Sequence, residues 1–137
     1  MLRAELHGAG AVGLEASLAV GRGRCLALAG RSGSGKTTAL RALAGLLRPR
    51  RGRVTCGEEV WLDTAAGVDL PPERRKVGMV FQSHALFLHL SAWRNVAYGL
   101  TGLPRPERRT AAHALLERFG LAGRADARPS ELSGGER

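Results

Sequence analysis

Eight consecutive residues, Gly30-Arg31-Ser32-Gly33-Ser34-Gly35-Lys36-Thr37, fit the pattern G-x-x-x-x-G-K-[ST] and carry the most chemistry in the chain. Small residues let the backbone curl until successive N–H groups converge on one concavity, a nest for anionic oxygens. A helix beginning at Lys36 aims its positive dipole end at the same point. Lys36 can reach the β- and γ-phosphates of a nucleotide, and the Thr37 hydroxyl can ligate Mg²⁺. One of only two lysines in the chain, Lys36 and Lys76, fills the required slot. A second stretch, Leu132-Ser133-Gly134-Gly135-Glu136, offers Ser133 as a helix N-cap. The two glycines behind it have bare backbone that an anion can approach. Alone, that stretch reads as a plain turn.

The elements that must position these residues follow from hydrophobic periodicity. The phosphate loop lies between an apolar run at 25–29, bounded by glycine and expected as a buried strand, and a helix expected over 36–47. Leu40, Leu43, Leu46 and Leu47 fall at helical spacing, and Arg48-Pro49 ends the pattern. Strands are expected at 14–20, at 54–56 and 60–62 as a hairpin around Gly57-Glu58, and at 77–81. Residues 63–72 read as a loop. Beyond Gln82 the texture turns helical. Ser91 can cap a helix running to about Leu100. Pro104-Arg105-Pro106-Glu107 opens another, with Ala111, Leu115, Leu116 and Phe119 on one side and Gly120 at its end. An α/β part at 1–82 therefore precedes a mostly helical part at 83–137, with no repeat or low-complexity tether between them.

Composition bounds the rest. A chain of 137 residues with 44% hydrophobic content is expected to form about one globular domain. No apolar run reaches the roughly 18 residues of a membrane span, and the first residues have no signal-peptide h-region. Cys25 and Cys56 match neither a zinc nor a disulfide spacing and read as small core residues of a cytosolic protein. The net charge of +9 would ordinarily point to nucleic acid or an anionic membrane. Of the 21 basic residues, however, 19 are arginine, and isoleucine is absent, the mark of a GC-rich coding bias. Arg50, Arg51 and Arg53 fall in a solvated turn, so no nucleic-acid partner is expected.

Taken together and in order, the phosphate loop, Gln82 at the end of an expected strand, and Leu132-Ser133-Gly134-Gly135-Glu136 resemble three signatures of ABC-transporter ATP-binding subunits: the Walker A loop, the Q-loop and the LSGGQ motif. The stretch from Leu70-Pro71-Pro72 to Gln82 is similar to the importer branch for oxyanions, ferric iron and polyamines. So are Leu86-Phe87-Leu88-His89 and Asn95-Val96-Ala97-Tyr98-Gly99-Leu100. The insertion from Trp61-Leu62-Asp63 to Gly67-Val68-Asp69 most resembles molybdate importer ATPases. The fold implied is a P-loop NTPase (RecA-like) cassette core with N-terminal β-strands and a helical subdomain.

The resemblance also implies roles. Gly30, Arg31, Ser32, Gly33, Ser34, Gly35, Lys36, Thr37 and Thr38 would hold the phosphates of ATP, with Thr37 and Gln82 at Mg²⁺. Lys36 and Gln82 would act in catalysis, Gln82 approaching the attacking water and reporting to the membrane subunits. Two subunits would pair head to tail. Ser133, Gly134, Gly135 and Glu136 of one would clamp the γ-phosphate bound by the other. The region from Ser83 onward would contact the transmembrane permease, which places the protein peripherally on the cytoplasmic face of the membrane. Glu136 stands where the family usually has Gln, and Leu88 where related importers tend to have Pro. The aromatic residue that stacks on adenine in the family has no counterpart before the loop, where only His7 lies at a comparable position.

One family element is missing from the sequence. No run of apolar residues leads into Asp-Glu, the pair that holds Mg²⁺ through water and polarises the attacking water, and Glu58-Glu59 lies in an expected turn. The resemblance thus implies a cassette truncated after the signature motif, whose parent hydrolyses ATP to drive solute uptake, molybdate or a related oxyanion being favoured. Loss of a general base alone lowers rates about 10²–10⁴-fold, so this chain is expected not to hydrolyse ATP by itself. Two other readings are a fragment of a non-transport ABC ATPase and a basic nucleic-acid-binding module.

Overall fold

The computed structural model describes residues 1–11, 13–83 and 85–137. They form two compact units, Met1–Met79 and Val80–Arg137.

The first unit is an antiparallel sheet carrying one helix. Strands β1 (Leu2–Ala9), β2 (Leu14–Val20), β3 (Arg51–Cys56), β4 (Glu59–Asp63) and β5 (Val68–Asp69) lie in the order β2-β1-β3-β4-β5. The hairpin expected around Gly57-Glu58 is present, with Thr55 opposite Val60 and Cys56 opposite Glu59. Strand β1 has no counterpart among the sequence expectations, although it lies inside the sheet. Its signal is the alternation of Leu2, Ala4 and Leu6 with Arg3, Glu5 and His7, the period of a half-buried strand. Ala4 and Leu6 are buried, whereas Arg3 and Glu5 face outward.

Helix α1 (Lys36–Leu43) closes the buried face of this sheet. Ala39 and Ala42 join Ala4, Leu6, Val54, Trp61 and Leu62 in one core. Small helical residues against β-branched and large strand residues allow the helix to approach closely. The expected helix to 47 ends four residues earlier. Gly45 adopts a left-handed conformation (φ +79°), donating to Ala42 O at 3.2 Å while Leu46 N–H donates to Arg41 O at 2.9 Å. This is a Schellman closure, which satisfies the last carbonyls and turns the chain away.

Two expected strands are absent. Residues 25–29 and 77–81 pair with no strand among the described residues, and Val80 is 98% exposed. An apolar run records a demand for burial, but a strand also needs a hydrogen-bonding neighbour, and neither segment is paired with a strand of this sheet. Cys25 is consequently exposed rather than in the core, while Cys56 is half-buried on β3. Within the expected loop 63–72, Val68–Asp69 pairs with β4 as β5.

The second unit is helical. Helices α2 (Ala92–Tyr98) and α3 (Arg105–Arg118) pack around Ala92, Leu116, Ala125 and Leu132. Ser91 occupies the N-cap position of α2, but its hydroxyl is buried without a partner. The cap comes from backbone instead: Ala92 N–H donates to Ala127 O at 2.8 Å and Trp93 N–H to Ala125 O at 2.9 Å. The buried stripe of α3 is Ala112 and Leu116, at i, i+4, so of the expected face Leu116 is buried and Ala111 half-buried. Leu115 and Phe119 on that face are exposed. No helix among the described residues is long and apolar enough to cross a membrane.

Candidate functional site

The residues at 30–38 come together as a loop feeding α1. Gly30, Gly33 and Gly35 have φ of +155°, +81° and +89°, conformations that disfavour any side chain. Gly35, the N-cap of α1, is also needed for space, because a Cβ there would lie 2.8 Å from Leu14 Cδ1 on β2. The start of the helix is thereby pressed onto the sheet. Ser34 N–H donates to Arg31 O at 3.2 Å, closing a turn inside the loop. Lys36, first residue of α1, folds its ammonium back over that turn and donates to Gly30 O and Arg31 O, each at 2.8 Å, and to Ser34 Oγ at 3.3 Å. The cation therefore sits at the loop it is expected to serve, on acceptors that a phosphate oxygen can replace. Arg31, Ser32 and Thr37 are exposed. Thr38 is half-buried, with its methyl group under Gly10 of the β1–β2 turn.

Ser133, Gly134, Gly135 and Glu136 form a single turn in the second unit. Ser133 O accepts from Glu136 N–H at 3.1 Å and from Arg137 N–H at 3.2 Å. The Glu136 carboxylate reaches back to Ser133 N–H at 2.8 Å, with Arg124 Nε 3.6 Å from its other oxygen. This is the N3-to-N-cap half of a capping box, consistent with Ser133 as the N-cap of a helical turn. Hydrogen bonding from Ser133, supported by the charge of Arg124, holds the Glu136 carboxyl below the usual carboxylate range. The two glycines remain exposed. Gln82 is exposed in a bend of the second unit. His7 projects from β1 and its Nδ1 meets the Glu15 carboxylate across the β1–β2 ladder.

A family model described as "ABC transporter" matches residues 14–137. The chain belongs to the ABC transporter family. Among its relatives, a molybdenum import ATP-binding protein ModC of Paramagnetospirillum magneticum is 44% identical over 124 residues, 90% of this chain and 34% of the relative. A molybdate/tungstate import ATP-binding protein WtpC of Archaeoglobus fulgidus is also 44% identical over 124 residues, 90% of this chain and 49% of the relative. Among solved structures, the dimeric post-hydrolysis state of the ATP-binding cassette MJ0796, bound to ADP and Pi, superposes with a TM-score of 0.77. It is 26% identical, and the match covers 99% of this chain and 65% of that one. The chain spans about a third of the length of the ModC relatives it matches, 34% in two of them. The glycine-rich loop at 30–38 lies in the first unit, and Gln82 and the turn Ser133–Glu136 lie in the second.

Sequence reasoning missed two residues that shape these segments. Arg75 is the most deeply buried charged side chain among the described residues, 1% exposed, and bonds to the far end of α1. Its burial is decided by acceptors more than thirty positions away, which no local pattern records. Asn95 on α2 fixes the segment from Phe87 to Ser91. Its Oδ1 accepts from Phe87 N–H at 2.8 Å, and its Nδ2 lies 3.1 Å from Phe87 O, Leu90 O and Ser91 O.

Proposed function

We propose that this chain carries the nucleotide-phosphate-binding part of the ATP-binding subunit of an ABC importer. The solute favoured is molybdate or a related oxyanion. The observation that carries the reading is Lys36: a lysine at the first position of a helix, its ammonium on the carbonyl rim of a glycine-rich loop. Phosphate oxygens would enter the loop, where backbone N–H groups and the dipole of α1 favour negative charge. Lys36 would exchange its contacts with Gly30 O and Arg31 O for β- and γ-phosphate oxygens. Mg²⁺ keeps several waters and binds through substrate phosphates with few protein oxygens. Bound there, Mg²⁺ would neutralise phosphate charge. The Thr37 hydroxyl, exposed next to Lys36, is the protein ligand proposed for it.

The turn Ser133-Gly134-Gly135-Glu136, exposed at its first three residues, is proposed to clamp the γ-phosphate held by a partner subunit in a head-to-tail dimer. The region from Ser83 onward is proposed to contact the permease on the cytoplasmic face of the membrane. The names of the ModC and WtpC relatives support the solute. These 137 residues contain no apolar run leading into Asp-Glu, and the chain is proposed to bind ATP without hydrolysing it by itself.

The test is a fluorescent-nucleotide titration of the chain and of Lys36→Ala, with phosphate release measured on both. A charge-assisted hydrogen bond contributes about 1.5–3 kcal/mol, so Lys36→Ala is expected to weaken Mg-ATP binding about 10- to 150-fold. Phosphate release should be the same for both chains. Equal affinity of the two for Mg-ATP would overturn the reading.

A further inference from the structure

We infer that Arg75 is a positioning residue for the phosphate loop, acting through the opposite end of α1. The inference rests on the phosphate-binding reading above. The Arg75 guanidinium is buried and nearly fully engaged. Its Nη1 donates to Ala42 O at 3.0 Å and Leu43 O at 2.9 Å, its Nε to Leu70 O at 2.7 Å, and its Nη2 to Asp69 Oδ1 at 3.1 Å. The other Asp69 oxygen lies 3.5 Å from Arg48 Nε. Ala42 and Leu43 are the last two residues of α1, and Ala42 O accepts from Gly45 N–H as well, at 3.2 Å. A cation there also complements the negative end of the helix dipole. Burial pushes the guanidinium below its ordinary pKa, and the neighbouring Asp69 opposes that shift.

The clamp joins three pieces of chain: the end of α1, strand β5, and the 3-10 turn Pro72–Arg74 that leads to Arg75. Room for it is made by Gly45, where a Cβ would lie 2.7 Å from Arg75 Nε and 2.9 Å from its Cζ. Only a planar fork of donors can face a helix end, a strand end and a carboxylate at once. A lysine ammonium, a point charge with three donors, cannot reproduce that geometry.

Helix α1 has eight residues and so is about 12 Å long. Its first residue is Lys36, and its N-terminal N–H groups form the loop's anion-binding floor. Gly35 presses that end on Leu14. The clamp fixes the other end against β5, so the helix can neither slide along the sheet nor tilt. Releasing the clamp leaves the loop sequence intact but frees the axis on which Lys36 and the N–H groups are aimed, and misplacement of such groups is what binding of a polyphosphate tolerates least.

The experiment is a double-mutant cycle on the whole chain, with Mg-ATP affinity read by fluorescent-nucleotide displacement below the melting transition of each variant. Arg75→Lys keeps the charge and most of the volume. It is expected to raise the Kd for Mg-ATP about tenfold, within the range by which residues off a ligand site modulate it. In the Lys36→Ala background the same substitution should change Kd less than twofold, because the group being aimed is gone. Asp69→Asn, which removes the ion pair and leaves the three carbonyl bonds, serves if Arg75→Lys does not fold. It should raise Kd about threefold under the same logic. The inference is overturned if Lys36→Ala weakens binding while the clamp variant stays within twofold of the native chain. It is equally overturned if the clamp variant's full effect persists without Lys36, since Arg75 would then support the fold generally. If Lys36→Ala itself has no effect, the phosphate-binding reading fails, and the inference with it.

Discussion

Gly45→Ala is the substitution whose effect can be worked most fully from the geometry. Gly45 has φ +79°, and an added Cβ would meet the Arg75 guanidinium at 2.7–2.9 Å, closer than real Cβ atoms approach. Two penalties combine. Placing alanine in the left-handed region costs about 1–2 kcal/mol. Displacing the guanidinium from even one of its buried acceptors leaves an orphaned polar group at about 1–3 kcal/mol. The sum, about 2–5 kcal/mol, is a large part of the roughly 5–15 kcal/mol that a domain has. Gly57 supplies the control, since its φ is +63° and nothing lies within 4 Å of its notional Cβ. Gly57→Ala should therefore show only the backbone penalty of about 1–2 kcal/mol. Urea unfolding is the assay, followed by the fluorescence of Trp61, which is 7% exposed in the first unit, in a Trp93→Phe background so that a single indole reports. Equal destabilisation by the two substitutions, within about 0.5 kcal/mol, would refute the claim that the guanidinium sits rigidly over Gly45.

Other perturbations have equally definite outcomes. Leu6→Ala removes a side chain that is fully buried between sheet and helix, and should destabilise the first unit by about 2–5 kcal/mol in the same unfolding assay. Gly35→Ala places a Cβ 2.8 Å from Leu14 Cδ1 at φ +89°, so Mg-ATP affinity should fall well below that of Ser32→Ala, as a parallel nucleotide titration would reveal. The Glu136 carboxyl is depressed by hydrogen bonding from Ser133. Its contribution to the signature turn is thus present above the ordinary carboxylate pKa and lost as pH falls through the lower, folded value. The Ser133 amide resonance should shift along that acid titration in the native chain and stay put in Glu136→Gln. Asn95→Ala should raise hydrogen exchange at Phe87 N–H, whose acceptor is Asn95 Oδ1.

The conformation of the loop at 30–38 is legible in the sequence because its requirements are local. Glycine at left-handed positions, a lysine at the first turn of a helix and a hydroxyl beside it are all fixed within nine residues. The hairpin at Gly57 and strand β2 were legible for the same reason, as was the start of α3 at its prolines. Strand β1 is equally written in the alternation of Leu2, Ala4 and Leu6, but the charged Arg3 and Glu5 between them mask its apolar face. Residues 25–29 and 77–81 failed in the opposite sense. Their apolar character was read as burial, but burial as a strand depends on ladder partners elsewhere in the chain. Arg75 lay beyond local reading for a related reason. One arginine among Glu73-Arg74-Arg75-Lys76 reads as solvated charge until Ala42 O, Leu43 O and Leu70 O are placed around it. The α2 cap likewise passed from the expected Ser91 hydroxyl to carbonyls of residues 125 and 127 that only packing could bring there.

The central claim is that the loop at 30–38 binds a nucleotide through its phosphates. Calorimetric titration of the native chain and Lys36→Ala with ATP, ADP and AMP in Mg²⁺ tests it most directly. The account predicts affinity falling from ATP to ADP to AMP, at least tenfold from first to last, since each phosphate lost removes charge-assisted contacts. That preference should collapse in Lys36→Ala. Equal affinity for ATP and AMP, or a preference that survives without Lys36, would contradict it.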